Sequence, residues 1–445
     1  MLDIAEQAVR LALAQGASDA ECTISEGNEF DATVRMRELE TLKEAGSRGA
    51  GLRILLGQNV GSSYTSDLTR EGIEYLVKSA LEIAKISSED PFAGLPEPSD
   101  LGAIAGDLGL YCDDVAKLET QYKIDQATVA EESALSADPR ITNSEGGSFS
   151  SYTGARYFAN SRGFAGSYRS SSCSLSVVAV AQLDGSMERD YWYTLARGSA
   201  GLEKPEAVGR KAAERTLRRL GARKIATQKA PVIFEPRVAR GLLSSIFEAV
   251  DGESIYRKSS FLADQLGEKV ASENVTIIDD GTIPGLFGTT PFDDEGVPSR
   301  RTVVIDRGVL RGYLLNTYTA RKLGLKSTGN ASRGITGNAG VGPGNFFLEK
   351  GTRSPDEILR SVKRGLYVTE LIGSGVNIVT GDYSRGAVGL WIENGELAYP
   401  VSEITIAANL RDMLMSIETI GSDLEFLGST ASPTILIREM TISGR

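Results

Sequence analysis

Gly389-Leu-Trp-Ile-Glu-Asn-Gly-Glu-Leu397 sets the reading of the fold. Asn394-Gly395 tolerates positive φ at both centres of a two-residue turn. Between apolar flanks it predicts a tight β-hairpin, and hence antiparallel sheet. The neighbouring C-terminal sequence repeats this texture. Val275-Thr-Ile-Ile278, Thr302-Val-Val-Ile-Asp-Arg-Gly-Val-Leu-Arg-Gly-Tyr-Leu314 and Glu370-Leu-Ile372 read as strands broken by turns, interrupted by helices over 355–364 and around 408–418. Pro231-Val-Ile-Phe234 opens this portion as an apolar strand and leads into an amphipathic helix at about 237–250.

Residues 2–15 carry apolar side chains at helical spacing up to Gly16, and 18–66 read as strands. A second helix is expected from a cap at Ser66 or Asp67 to Ile86. Residues 87–106, with Pro91, Pro96 and Pro98, form the best linker. A helix from Asp113 to Ala137, strands over 141–195 and a basic helix at 204–221 follow. The expectation is an α+β fold, with helices packed on mostly antiparallel β-sheets and a β-rich C-terminal domain. The domains are expected at 1–90, 107–225 and 229–445.

The 445 residues, 41% hydrophobic and 24% charged, suit two or three globular domains that need no disulfide or metal staple. Forty-eight basic against fifty-nine acidic residues give a net charge of −11, which disfavours nucleic-acid binding. The basic run Arg210, Lys211, Arg215, Arg218, Arg219, Arg223 and Lys224 is read as the solvated face of a helix. Cys22, Cys112 and Cys173 form no CxxC pair. The charged N-terminal helix is unlike a signal peptide, and no eighteen-residue apolar run occurs, so a cytoplasmic location without a membrane span is expected.

The chain contains no histidine. That removes the usual general base and the commonest zinc ligand, and with them Ser-His and Cys-His nucleophiles. Catalysis by this chain alone would fall to carboxylates, a lysine or an oxygen-ligated metal. Phe292-Asp-Asp-Glu-Gly-Val-Pro298 gathers Asp293, Asp294 and Glu295. These either ligate a divalent cation or act as an acid/base pair, or they bond their own backbone in a turn. Ser327–Asn345 is rich in glycine but lacks P-loop spacing, and reads as a long mobile loop beside a cleft, suited to covering an extended peptide. Gly381-Asp-Tyr-Ser-Arg-Gly386 reads as a turn presenting Tyr383 and Arg385. Arg385 would fork onto a partner's carboxylate or a peptide terminus, or pair internally with Asp382 or Glu403.

Several segments together resemble the TldD/PmbA family. They are Val270–Gly285, Phe292–Ile305, Gly308–Leu314, Thr328-Gly-Asn330, Gly381–Ala387, Glu393-Asn-Gly-Glu396, Tyr399–Ala407 and Met440–Gly444, in the family's order. The resemblance implies a TldD–TldE heterodimer that trims or degrades peptides and unfolded segments; the family is also known as modulators of DNA gyrase. TldD-like members carry a His-Glu-x-x-x-His helix and a C-terminal cysteine as zinc ligands. The matching segments here, about Gly241–Gly252 and Gly421–Thr430, offer Ser244, Ser245 and Glu248 but no histidine or cysteine. That departure points to the PmbA/TldE branch, a non-catalytic subunit with no catalytic or metal residue of its own and zinc expected on the TldD-like partner. The remaining expectations are a peptide substrate, a homodimer when the chain is alone, and Asp293, Asp294, Glu295, Asn316, Tyr383 and Arg385 as peptide- or partner-contact candidates. The alternatives are a self-sufficient carboxylate- or metal-dependent hydrolase and a regulator of gyrase.

Overall fold

The computed structural model describes residues 1–444. The first half is one antiparallel sheet roofed by helices. Helix α1 (Leu2–Ala14) leads into the strands β1 (Asp19–Arg35), β2 (Glu38–Leu56) and β3 (Asn59–Thr65), followed by α2 (Arg70–Ile86). After the proline-rich connection come α3 (Thr120–Leu135), β4 (Ile141–Asn160), β5 (Ala165–Leu183), β6 (Ser186–Ala196) and α4 (Pro205–Leu217). The strand order is β3-β2-β1-β4-β5-β6, so β1 pairs with β4 and the sheet runs unbroken across the linker. Side chains alternate across a strand, so Cys22, Ile24 and Val34 of β1 share a face. Cys22 and Ile24 join a core under α1 and α2, and Val34 joins a second core under α3 and α4. The helices therefore roof one face and leave the other for the second half of the chain.

Local chemistry moves some boundaries. The cap of α2 is Thr69, whose side chain accepts from Gly72 N, while Asp67 accepts from Thr69 N one step earlier, so the helix starts later than Ser66 or Asp67. Asp114 accepts from the backbone N and Oγ of Ser199, which ties the segment before α3 to the exit of β6. The expected helix at 113–137 is thereby shortened to α3, with only a 3₁₀ turn at Val115–Lys117 before it.

The second half begins with β7 (Gln228–Phe234), α5 (Pro236–Val250) and α6 (Gly252–Tyr256). Short elements follow: β8 (Ile277–Asp280), β9 (Arg301–Asp306), β10 (Val309–Leu310), α7 (Thr317–Leu323), β11 (Ala331–Ser332), β12 (Gly340–Val341), β13 (Phe346–Leu348) and α8 (Pro355–Ser361). The chain ends with β14 (Arg364–Ile372), β15 (Val376–Asn377), β16 (Asp382–Glu393), β17 (Glu396–Asn409), α9 (Leu410–Met415), β18 (Ile417–Ile420), β19 (Thr430–Ala431) and β20 (Ile435–Ser443). The hairpin forms as expected: Glu393 pairs with Glu396, with φ of 52° at Asn394 and 79° at Gly395. The order β14-β7-β20-β17-β16, with β16 pairing back to β14, closes a five-stranded barrel. Closure leaves these strands without an open edge. Helix α5 lies on the barrel, burying Val238, Ala239, Leu242, Leu243, Ile246, Ala249 and Val250 in the largest core. The fold is thus α+β with antiparallel sheets and a β-rich C-terminal domain containing a barrel.

Among the contacts that join the halves, three centre on buried groups. Phe292 sits among Phe158, Phe164 and Tyr168, at centroid distances of 6.3, 5.0 and 5.6 Å. Glu21 of β1, 1% exposed, accepts from Arg53 Nη1 at 2.9 Å and Arg333 Nη1 at 2.6 Å. The third connection corrects the solvated-face reading of the basic run. Arg215 and Arg219 are buried, with Arg215 on Glu235 at 2.7 Å and Asp190 at 3.3 Å, and Arg219 on Glu370 at 2.6 Å. Burial pushes the Arg215 guanidinium down, but the facing Glu235 and Asp190 carboxylates more than offset it and hold it above the usual arginine range.

Candidate functional site

The open face of α5 follows from its period. With one stripe packed on the barrel, Arg237, Arg240, Gly241, Ser244 and Glu248 fall on the other side, and Ser244 and Glu248 are exposed. Over the first turns of this face lie Tyr191, Trp192 and Tyr193 of β6. The Arg237 guanidinium stacks 3.6 Å from the Trp192 ring and 4.4 Å from Tyr193, and its Nη2 donates to Tyr193 O. The segment before β19 closes the third side, where Arg240 Nη1 donates to Tyr193 Oη at 3.0 Å and Leu427 O at 3.3 Å.

These walls enclose a cavity of about 140 Å³, lined by aromatic and apolar groups such as Trp192, Tyr367 and Leu427, with Arg215, Arg237 and Arg240. A second, larger cavity of about 470 Å³ lies on the other side of Arg215 and Arg237, between β6, α4, α5 and β16. Both lie at the seam between the two halves.

The structure also brings together the α5 segment and the 421–430 segment, the two places where the family resemblance would put zinc ligands. The side chains there do not fit a zinc ion. The α5 face offers Ser244 and Glu248, and Asp423 is committed to Thr434 N and Oγ1. The Arg240 guanidinium bridges the two segments, placing a positive charge where a dication would need donors. Among the described residues no three His, Cys, Asp or Glu side chains are placed to hold a metal ion.

The 293–295 carboxylates lie elsewhere, in the docking turn around Phe292. Asp293 Oδ1 accepts from Glu295 N and Val297 N, and Oδ2 from Ala331 N. Asp294 pairs with Arg156 at 2.8 Å and accepts from Arg333 N; Glu295 accepts from Thr317 N at 2.8 Å. Burial pushes Asp293 above the ordinary carboxylate range, with the Glu295 charge adding to it, against the pull of three backbone N–H donors. Of the readings the sequence left open, the backbone-bonded turn matches this geometry. Asn316 forms the capping box of α7 and donates through Nδ2 to Ala339 O and Gly340 O.

The glycine-rich stretch is a long connection that reaches across to the first half. It forms the β11–β12 hairpin and lays Ile335 against β2 so closely that a Cβ at Gly51 would run into the Ile335 carbonyl. Arg53 Nε donates to Asn338 Oδ1 at 2.9 Å. Tyr383 is not presented on a turn: it lies within β16, 2% exposed, and burial pushes its phenol well up. Arg385 lines the larger cavity. Neither suggested internal partner reaches it, since Asp382 takes Thr380 Oγ1 and Glu403 takes Lys224 at 2.6 Å.

Sequence reading missed Arg237, Arg240 and the Tyr191-Trp192-Tyr193 run. The arginines sit three apart at the start of a helix, and the aromatic run lies in a strand. Both patterns were visible, but not that they face each other across 44 residues of chain.

Family models for the metallopeptidase PmbA/TldA match the chain in series: domain 1 at 20–84, the central domain at 113–220 and the C-terminal domain at 227–444. The chain is 43% identical to the metalloprotease PmbA of Escherichia coli O157:H7 over 445 residues, covering 99% of this chain and 96% of that one. It is 39% identical to a metalloprotease PmbA homolog of Haemophilus influenzae, covering 98% and 94%. A Bacteroides thetaiotaomicron crystal structure, described as a candidate modulator of DNA gyrase, superposes with a TM-score of 0.93 at 30% identity over 100% of this chain and 98% of that one. TldE from Thermococcus kodakarensis shares the fold, with a TM-score of 0.89 at 22% identity, covering 99% and 100%.

Proposed function

Because this chain belongs to the PmbA/TldD metallopeptidase family, we propose that it is the non-catalytic, TldE-like subunit of a heteromeric zinc peptidase that processes or degrades peptides and unfolded segments. One observation carries the reading. The two segments where the resemblance puts zinc ligands meet, and the group joining them is the Arg240 guanidinium instead of imidazole or thiolate. Hydrolysis then falls to a TldD-like partner that holds the zinc, and this chain supplies the wall along which the peptide lies. The reading includes a homodimer when the partner is absent. It also includes a cytoplasmic location, which three unpaired cysteines favour; among the described residues no helix is long and apolar enough to cross a membrane.

The test combines metal analysis with peptide cleavage, using this chain alone, a TldD-like protein alone, and the two together. The expected result is substoichiometric zinc and no cleavage for the isolated chain, with full activity only in the mixture. Stoichiometric zinc together with unaided cleavage by this chain would overturn the reading.

A further inference from the structure

Five arginines from four elements converge on the 470 Å³ cavity: Arg189 from β6, Arg215 and Arg219 in or just after α4, Arg237 from α5 and Arg385 from β16. In a chain with a net charge of −11, such a convergence is not a by-product of composition. Three carboxylates share the wall, and each is already engaged. Glu145 holds Arg189, Asp190 holds Arg215, and Glu370 holds Arg219. Glu235 and Glu188 add second partners to Arg215 and Arg219, and of the five arginines only Arg237 and Arg385 make no ion pair among the described residues. Arg237 touches rings and one carbonyl, and its Nε and Nη1 are buried without an acceptor. Arg385 makes no hydrogen bond or ion pair among the described residues, its charge acting on the neighbouring Tyr383 phenol, and its Nε is likewise buried and unmatched. Two guanidinium groups that line one cavity with no carboxylate paired to them mark a place prepared for an anion. Burial lowers the Arg237 guanidinium from its usual value, with the Arg215 charge adding to the effect, and a bound anion would relieve both.

We infer that this cavity binds a carboxylate carried by a peptide, with Arg385 and Arg237 as the receiving cations. The guanidinium fork matches the two oxygens of a carboxylate. The remaining walls, Val178, Val238, Leu371 and Tyr191, suit the apolar parts of a peptide rather than a compact inorganic anion. The carboxylate would come from the chain terminus or from an acidic side chain. The inference rests on the peptide-processing reading and names what its substrate must carry.

The experiment measures binding without cleavage, by calorimetry on the full-length chain with three probes. These are acetyl-Ala-Ala-Phe with a free carboxylate, the same peptide as its C-terminal amide, and acetyl-Ala-Glu-Ala amide. At least one carboxylate probe should bind about ten- to a hundredfold more tightly than the uncharged amide. Which of the two binds tells terminus from side chain. Arg385→Gln should remove that advantage and Arg385→Lys should restore part of it, with the melting temperature held because Arg385 makes no internal ion pair. The carboxylate advantage in the unaltered protein should also shrink with added NaCl, a readout that needs no variant. Equal binding of all three probes, or an undiminished advantage in Arg385→Gln, would refute the pocket. Cleavage by the mixed subunits would in that event still stand, so the two proposals fail separately.

Discussion

At the scale of single residues, two buried carboxylates, Asp279 inside the second half and Glu21 at a joint between the halves, respond to pH in opposite senses. Asp279 in β8 accepts from Asn330 Nδ2 at 2.7 Å. Burial pushes it up to about 7, against the pull of that bond and of the Gly344 N–H. An unfolded aspartate releases its proton near ~3.9. Between that value and about 7 the folded chain holds a proton the unfolded chain has lost, so folding weakens as pH rises through this window. Asp279→Asn cannot ionise. The melting temperature of the variant minus that of the parent should therefore grow from pH 4.5 to pH 8, and a constant gap would contradict the argument. Glu21 runs the other way: burial raises it, but Arg333 and Arg53 outweigh burial and hold it below the ordinary value. Its stabilisation is complete above the unfolded glutamate value of ~4.3 and is lost as pH falls through its lower folded value, outside the window of the Asp279 test.

Among the elements, α5 carries both the core and the open face of the site, and the two can be separated by mutation. Ile246 is fully buried on the barrel, so Ile246→Ala should cost about 2–5 kcal/mol in urea unfolding. Ser244 is exposed and bonds only the Arg240 carbonyl, so Ser244→Ala should stay within ~0.5 kcal/mol. An equal loss in both would mean that α5 does not pack as described. This helix was legible in the sequence because its apolar period is clean, and the 389–397 hairpin because Asn-Gly states its turn outright. The pairing of α4 was not legible: a run of arginines reads as solvated until Glu235 and Glu370, far along the chain, are seen to meet it. Tyr383 was misplaced for a related reason. The glycines at 381 and 386 suggest a turn across the segment, whereas the turn ends at Gly381 and pairing with β17 carries the strand from Asp382 through Gly386. The carboxylate cluster at 293–295 was recognised as unusual and its bonds to the backbone of its own turn were among the readings, but its partners at 317 and 331 were hidden by distance in sequence.

For the whole molecule, the apolar cores of the first half do not correspond to detachable parts. The core under α1 and α2 and the core under α3 and α4 are roofed onto a single sheet, whose β1–β4 ladder runs from Glu21 opposite Asn160 to Val34 opposite Gly147. Between the two sets of strands lies the exposed stretch at 103–107. A protease that cuts there would sever the polypeptide without separating what it joins, because some fourteen residue pairs of hydrogen-bonded strand would still stitch the pieces together. The nicked protein should elute from a sizing column at the position of the intact one and come apart only in denaturant. Fragments that drift apart in plain buffer would show that the ladder alone cannot hold them. The seam that holds this protein together is therefore woven across the chain's own punctuation, and a break at this exposed connection is one the fold can afford.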